Sequence, residues 1–330
     1  MKSVKLSLAL QGGGAHGAFT WGVLNRLLEE SWLTITGISG ASAGAMNAVM
    51  FAEGWRKNGR EGAKQQLDDF WYTVAEQNVG FELPGELKNS VTKWWLSAFQ
   101  FLSPYDINLL DINPLRDIVD KQVDFKALQQ ANPLPLYIAA TEVSTGKLAL
   151  FNTPELTTDH LLASACLPNV YKAIEIDGKH YWDGGYAGNP AIFPLMNECA
   201  GKDVLIVLLQ PLEREEVPKS SDDISDRITE IGFHSNFMRE MHAIASIKRL
   251  VSGKRFLLGK VERQMKQLRT HLLTNGELLS SLDSATKYDN RKKFLEYLRE
   301  AGVETTEKWL AENADHLGKK ASCDIQAMFD

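Results

Sequence analysis

The stretch Ile38-Ser39-Gly40-Ala41-Ser42-Ala43-Gly44-Ala45-Met46-Asn47 constrains this chain more than any other. It reads Gly-x-Ser-x-Gly, closes an apolar run from Leu33 to Ile38, and leads into small, helix-compatible residues. A serine between two glycines, where a strand turns into a helix, is how a chain exposes a hydroxyl on a sharp and crowded bend. A Cβ at Gly40 or Gly44 would collide with backbone or with the helix beside it. The pattern is short, and an ordinary strand–turn–helix would satisfy it too. The surrounding chain has to decide between the two readings.

Two further glycine clusters follow the same logic. Val4 to Leu10 reads as a strand, and Gln11-Gly12-Gly13-Gly14-Ala15-His16-Gly17 opens a helix over Ala18 to Glu30. With a second strand over Leu33–Ile38 and a second helix over Ala43–Trp55, the chain begins strand, glycine turn, helix, twice over. That is the start of a layered α/β domain with a mainly parallel central sheet. Gly12-x-Gly14-x-x-Gly17 also fits a dinucleotide fingerprint, which demands an acidic residue near the end of the second strand. No Asp or Glu lies between Ser31 and Phe51, so a nucleotide-binding oxidoreductase is set aside. The amides of a glycine run at a helix N-terminus equally suit a developing oxyanion. The expected donors are Gly12, Gly13 and Gly14, and His16 in the same loop could touch a substrate head group.

Composition narrows the class. The formal charge of −6 gives no basic footprint for nucleic acid. Three widely spaced cysteines, Cys166, Cys199 and Cys323, suggest neither a metal site nor a disulfide framework. The N-terminal apolar stretch alternates with polar residues and runs into glycines without a signal-peptide cleavage site. No apolar run reaches the ~20 residues of a membrane span. A soluble, cytoplasmic protein without cofactor is expected, with peripheral membrane contact as the one link to a bilayer; oligomeric state is not legible.

Further along, Ala63 to Leu110 is rich in aromatics, including Phe70, Trp71, Tyr72, Trp94, Trp95 and Phe99. Two helices, about 63–78 and 86–101, are expected, either as an interior wedge or as a lid lining an acyl-chain site. Asn113 should cap a short helix within 111–119. Leu136–Thr141 and Lys147–Phe151 read as strands, and Thr157–Cys166 as a helix. Ala173–Ile176 and His180–Trp182 form a hairpin over Asp177-Gly178, and Val204–Leu209 is a buried parallel strand. A charged linker over 213–225 and amphipathic helix throughout about 222–318 complete the chain.

A serine nucleophile needs a base. The order Ser, Asp, His could be met by Ser42, Asp183 and either His234 or His242, although both histidines lie in amphipathic sequence with no turn presenting them. His160 and His180 look like capping or surface residues. Asp183 is better placed, because it ends a strand and is followed by Gly184-Gly185 and then Asn189-Pro190. The bland alternative for it is a loop aspartate in an Asx turn.

In that order, Gly12-Gly13-Gly14-Ala15-His16-Gly17, Gly40-Ala41-Ser42-Ala43-Gly44 and Asp183-Gly184-Gly185 resemble the patatin-like phospholipases, lipid acyl hydrolases related to cytosolic phospholipase A enzymes. Ala163-Ser164-Ala165-Cys166-Leu167-Pro168 is similar to that family as well. The resemblance covers about residues 5–210. It implies a three-layer α/β domain there, with 211–330 as a helical extension packed on it. It further implies a Ser–Asp dyad without a catalytic histidine: Ser42 as nucleophile, Asp183 as general base, and the Gly12–Gly14 amides as oxyanion hole. Gly17, Gly40, Gly44, Gly184 and Gly185 would support these motifs. Many relatives carry Arg or Lys where this chain has His16. The implied function is a serine hydrolase of lipid esters, phospholipase A- or lysophospholipase-like. An acyltransferase using the same dyad and a non-catalytic lipid-binding regulator are the alternatives.

Overall fold

The computed structural model describes residues 3–77, 103–108, 113–214, 217–252 and 259–329. Its eight-stranded sheet comprises β1 (Val4–Leu10), β2 (Leu33–Ala41), β3 (Leu136–Glu142), β4 (Leu148–Asn152), β5 (Ile174–Ile176), β6 (Lys179–Asp183), β7 (Asp203–Val207) and β8 (Arg269–Leu273). The order is β5-β6-β3-β2-β1-β7-β8, with β4 also paired to β3. The β3–β2–β1–β7–β8 pairings are all parallel, and β4, β5 and β6 are antiparallel additions.

Parallel strands buried on both faces should be apolar on both, and β7 is. Leu205 and Val207 join one core with Leu6, Leu8 and Leu10, while Val204 and Ile206 join a second core with Ala9. The first core is covered by α1 (Gly17–Leu27) and α2 (Ala43–Glu76), from which Phe19, Trp21, Phe51 and Phe70 point inward. α2 is broken at Asn58 and Gly59, so the expected helix from 63 emerges as its second half. Trp71 is buried there and stacks on Trp21. The expected helix over 86–101 and its aromatics lie outside the described residues.

A one-turn helix α3 (Pro104–Ile107) precedes α4 (Pro114–Gln122), where Asn113 accepts from the Leu115 amide as its sequence position predicts. After α5 (Phe125–Ala131), α6 (Thr158–Ser164) starts from a capping box made by Thr157 and His160. The β5–β6 hairpin turns at Asp177 and Gly178, both with φ > 0, the backbone a two-residue I′ turn needs.

The second core is closed by α7 (Phe193–Glu198) and α8 (Ser221–Ser252), with Phe237, Met241 and Ile244 inward. α8 begins at Ser221, inside the stretch expected to be linker. The remaining helices are α9 (Lys260–Gln267), α10 (Gly276–Ser281), α11 (Lys292–Asn313) and α12 (Ile325–Phe329). The expectation of helix throughout 222–318 fails at β8, which extends the sheet beside β7. Thr270 and His271, and likewise Leu273, are buried on alternating faces, so the segment lacks the polar side that a surface helix has. At its start Arg269 pairs with the buried Asp203, which also meets His271 and the Gly318 amide. α11 lies directly on α1: a Cβ at Gly22 would meet the Arg299 carbonyl oxygen at 2.0 Å, and one at Gly302 the Phe19 carbonyl oxygen at 2.1 Å.

Candidate active site

Register brings two of the three glycine motifs together. β2 ends at Ala41 opposite Ala139 of β3, and β6 ends at Asp183 opposite the next residue, Ala140. β4 pairs with both Ala139 and Ala140, so it fills the other edge of β3, and β2 and β6 share one edge. They run in opposite directions and meet end to end. Ser42, one residue beyond β2, therefore stands beside the last residue of β6.

Ser42 has φ 53° and ψ −124°, a backbone region that L-residues rarely occupy. The turn is held by neighbours that tolerate no side chain: a Cβ on Gly44 would lie 2.2 Å from the Leu10 carbonyl oxygen, and one on Gly40 2.6 Å from Gly44. The Ser42 amide donates to the Ser164 carbonyl (3.1 Å) and to the Ser164 hydroxyl (3.0 Å). Two residues on, the Cys166 carbonyl accepts from the Asp183 amide at 2.8 Å. The segment at the end of α6 thus spans both motifs.

Asp183 is fully buried. Its Oδ1 accepts the Gly185 amide at 2.7 Å, and its Oδ2 has no partner among the described residues. Burial pushes the carboxyl up to about 7, with the Gly185 amide and the nearby Ser42 hydroxyl pulling the other way. The Ser42 hydroxyl is therefore close to the carboxylate without occupying Oδ2 in an aligned hydrogen bond. Gly184 and Gly185 let this turn pack: a Cβ would meet the Ala139 carbonyl oxygen at 2.1 Å in the first case and the Phe233 ring at 2.2 Å in the second.

The glycine loop leaves β1 beside the same turn, and a Cβ on Gly12 would be 2.8 Å from that of Ser42. The three loop amides are not equivalent. That of Gly12 donates to Asn189 Oδ1 at 2.7 Å, whereas those of Gly13 and Gly14 donate to no acceptor among the described residues. Gly14 has φ +58° and lies against the Lys287 carbonyl. Gly17 sits under the start of α2, and the buried Asn47 joins the two by donating to the Gly17 and Ala43 carbonyls at 3.0 Å.

His16 faces inward. It is 3% exposed, its Nε2 is hydrogen-bonded to Thr286 Oγ1 at 2.7 Å, and Phe294 lies against its ring. Burial, with Lys287 nearby, lowers it to about 4, so it is neutral at physiological pH. His242 is exposed on α8, with its Nδ1 2.7 Å from the Phe329 carbonyl oxygen in the second core. His234, also on α8, is buried beside Phe237.

A family model for patatin-like phospholipases matches residues 8–196, more than half of the chain and the span holding all three motifs. The chain belongs to the patatin-like phospholipase family. Among solved structures it is similar to VipD from Legionella pneumophila, at 15% identity over 94% of this chain and 67% of that one, with a TM-score of 0.43. It is also similar to the type III effector ExoU of Pseudomonas aeruginosa, at 17% identity over 94% of this chain and 53% of that one, with a TM-score of 0.39. No curated protein sequence matches it. Patatin-like phospholipases are lipid acyl hydrolases, and no described helix of this member is long and apolar enough to cross a membrane.

Sequence reasoning gave no role to Ser164, to Asn189, or to the turn at Ser284–Tyr288 that backs the glycine loop. The first two stood in segments already singled out; for Asn189 the available signal was a short polar side chain between Gly188 and Pro190, and for Ser164 a lone hydroxyl between two alanines. The turn carried none, because it reaches the loop only through the folding of the last hundred residues.

Proposed function

We propose that this protein is a serine hydrolase of lipid esters that works through Ser42 and Asp183. The observation that carries the reading is the end-to-end meeting of β2 and β6 on one edge of β3, which sets a serine on a strained turn beside a buried carboxylate. The ester carbonyl lies between Ser42 and the amides of Gly13 and Gly14. Asp183 takes the hydroxyl proton as Ser42 Oγ attacks, the oxyanion forms against the loop, and the alcohol leaves with that proton to give an acyl-enzyme. Asp183 then deprotonates the water that releases the acid. A free aspartate (pKa ~3.9) is too weak a base for this at neutral pH. A carboxyl raised to about 7 is matched to the task.

The test is hydrolysis of a phospholipid, lysophospholipid and p-nitrophenyl ester panel by wild type, Ser42→Ala and Asp183→Asn, alongside covalent labelling by a fluorophosphonate. Both variants should lose turnover while still melting cooperatively, and labelling should disappear in Ser42→Ala. Folded wild type that neither labels nor hydrolyses would make the chain a lipid binder. Retained activity in Asp183→Asn, with loss in His234→Ala or His242→Ala, would make a histidine, and not Asp183, the base for Ser42. Release of a transesterified product in place of free acid would make the enzyme an acyltransferase.

A further inference from the structure

Asn189 is fully buried and uses both ends of its amide. Oδ1 accepts the Gly12 N–H at 2.7 Å, across 177 residues of sequence, and Nδ2 donates to the Phe233 carbonyl on α8 at 3.4 Å. The Phe233 ring lies against Gly185, the residue whose amide holds Asp183 Oδ1, and packs tilted against the Tyr186 ring, their centroids 4.4 Å apart. α8 grips the same stretch at two further points one and two turns on: Asn236 Nδ2 donates to the Tyr186 carbonyl, and half-buried Glu240 accepts the Ile192 and Phe193 amides at 2.8 and 2.7 Å. Residues 185–193 are therefore fixed from behind by one helix face, and Asn189 reaches forward from them to the glycine loop.

This arrangement changes which loop amides can act. Gly12 is wedged between the Ser42 turn and Asn189: a Cβ there would meet the Ala41 carbonyl oxygen at 2.8 Å and Asn189 Oδ1 at 3.2 Å. Its N–H is consumed by the asparagine, and a planar amide bonded at both ends fixes the direction of that bond. The next two amides then leave the loop in a set direction. Without the acceptor, the Gly12 N–H would be a buried donor with no partner, and the loop would rotate to satisfy it.

On the reading that Ser42 and Asp183 form a hydrolytic dyad, we infer that Asn189 is a positioning residue that engages Gly12 and so aims the Gly13 and Gly14 amides at the oxyanion. It touches no substrate and acts through the loop. Oxyanion donors matter only when charge develops on the carbonyl oxygen, so the effect belongs in kcat and spares KM.

The test compares wild type with Asn189→Ala, and with Asn189→Ser as a milder variant that still falls short of Gly12, on a p-nitrophenyl ester and its thionoester. Sulfur accepts weaker hydrogen bonds than oxygen, so a misaimed oxyanion hole slows the ester more than the thionoester. General loss of folded protein slows both equally. Expected for Asn189→Ala are a fall of about 10–100-fold in kcat on the ester, KM within about threefold, and a reduced ester-to-thionoester ratio. Asn189→Ser should move the same way by less. If the alanine variant gives no cooperative melt, the serine variant alone decides, with rates taken per titrated active site. An ester kcat within about twofold of wild type and an unchanged ratio would overturn the positioning role. Wild type that is folded but inactive toward every ester, with Ser42 unlabelled, would instead overturn the hydrolase reading, and this inference with it.

Discussion

The Ser42 amide donates to two oxygens of Ser164, its carbonyl at 3.1 Å and its hydroxyl at 3.0 Å. A residue held at φ 53° persists only where its surroundings over-determine it. The bifurcated bond is one such restraint, and the buried Ser164 side chain is half of it. Ser164→Ala keeps the carbonyl bond and loses the hydroxyl. It should lower turnover about 3–10-fold and stability by about 1 kcal/mol, read as ester kcat and as a denaturant midpoint.

Asp183 predicts the shape of the pH profile. With the carboxyl at about 7 in the free enzyme, the basic form accumulates only as pH rises through neutrality. On the dyad reading kcat/KM should climb about tenfold per pH unit below 7 and level off above. A profile flat from pH 5 to 8 would mean an ordinary carboxylate and would remove the argument from burial.

The same shift has a stability side. Unfolded, the carboxyl has its ordinary value of 3.8, and folded it sits at about 7, so between these values folding takes up a proton and stability falls as pH rises. Above about pH 7 the full cost of a buried carboxylate is present. Asp183→Asn removes the titration, so its melting temperature relative to wild type should rise by a few degrees between pH 5 and pH 8. A difference independent of pH would refute the shift.

What was legible in the sequence was local. Each glycine motif announced a turn, and each turn lies at the end of its expected strand. The pairing that joins them was not legible, because it depends on register: Ala41 and Asp183 face consecutive residues of β3, and a slip of one residue would move every β6 side chain to the other face. Asn189 escaped for a related reason, since an asparagine before a proline reads as a turn former and nothing local shows the Gly12 amide opposite it. β8 was mistaken for helix because five residues are too few to separate the two periods when both faces are buried.

Glycines outside the motifs should behave differently. Gly232 lies on exposed α8 surface with open space where a Cβ would go. Gly232→Ala should therefore stabilise the protein by about 0.5–1 kcal/mol in a denaturant melt, with ester turnover unchanged. Gly44→Ala, with backbone at 2.2 Å, should yield no soluble folded protein.

His16 offers the last test, because its titration has the opposite sign to that of Asp183. Its ordinary value is 6.5 and its folded value about 4, held down by burial and by Lys287. Between these values the unfolded chain binds the extra proton. Stability from keeping His16 neutral is therefore complete above pH 6.5 and is lost as pH falls toward 4. Glutamine can reach Thr286 with an amide that does not titrate. Relative to wild type, His16→Gln should gain about 2–3 kcal/mol of stability on going from pH 7 to pH 4, because it lacks this acid penalty. The carboxylate contributions of Asp183 and Glu240 are common to both proteins and cancel in the difference. Parallel urea melts at four pH values read it directly. Equal slopes for the two proteins would place His16 in contact with water, and the loop it belongs to would then be open on the side now closed by Thr286 and Phe294.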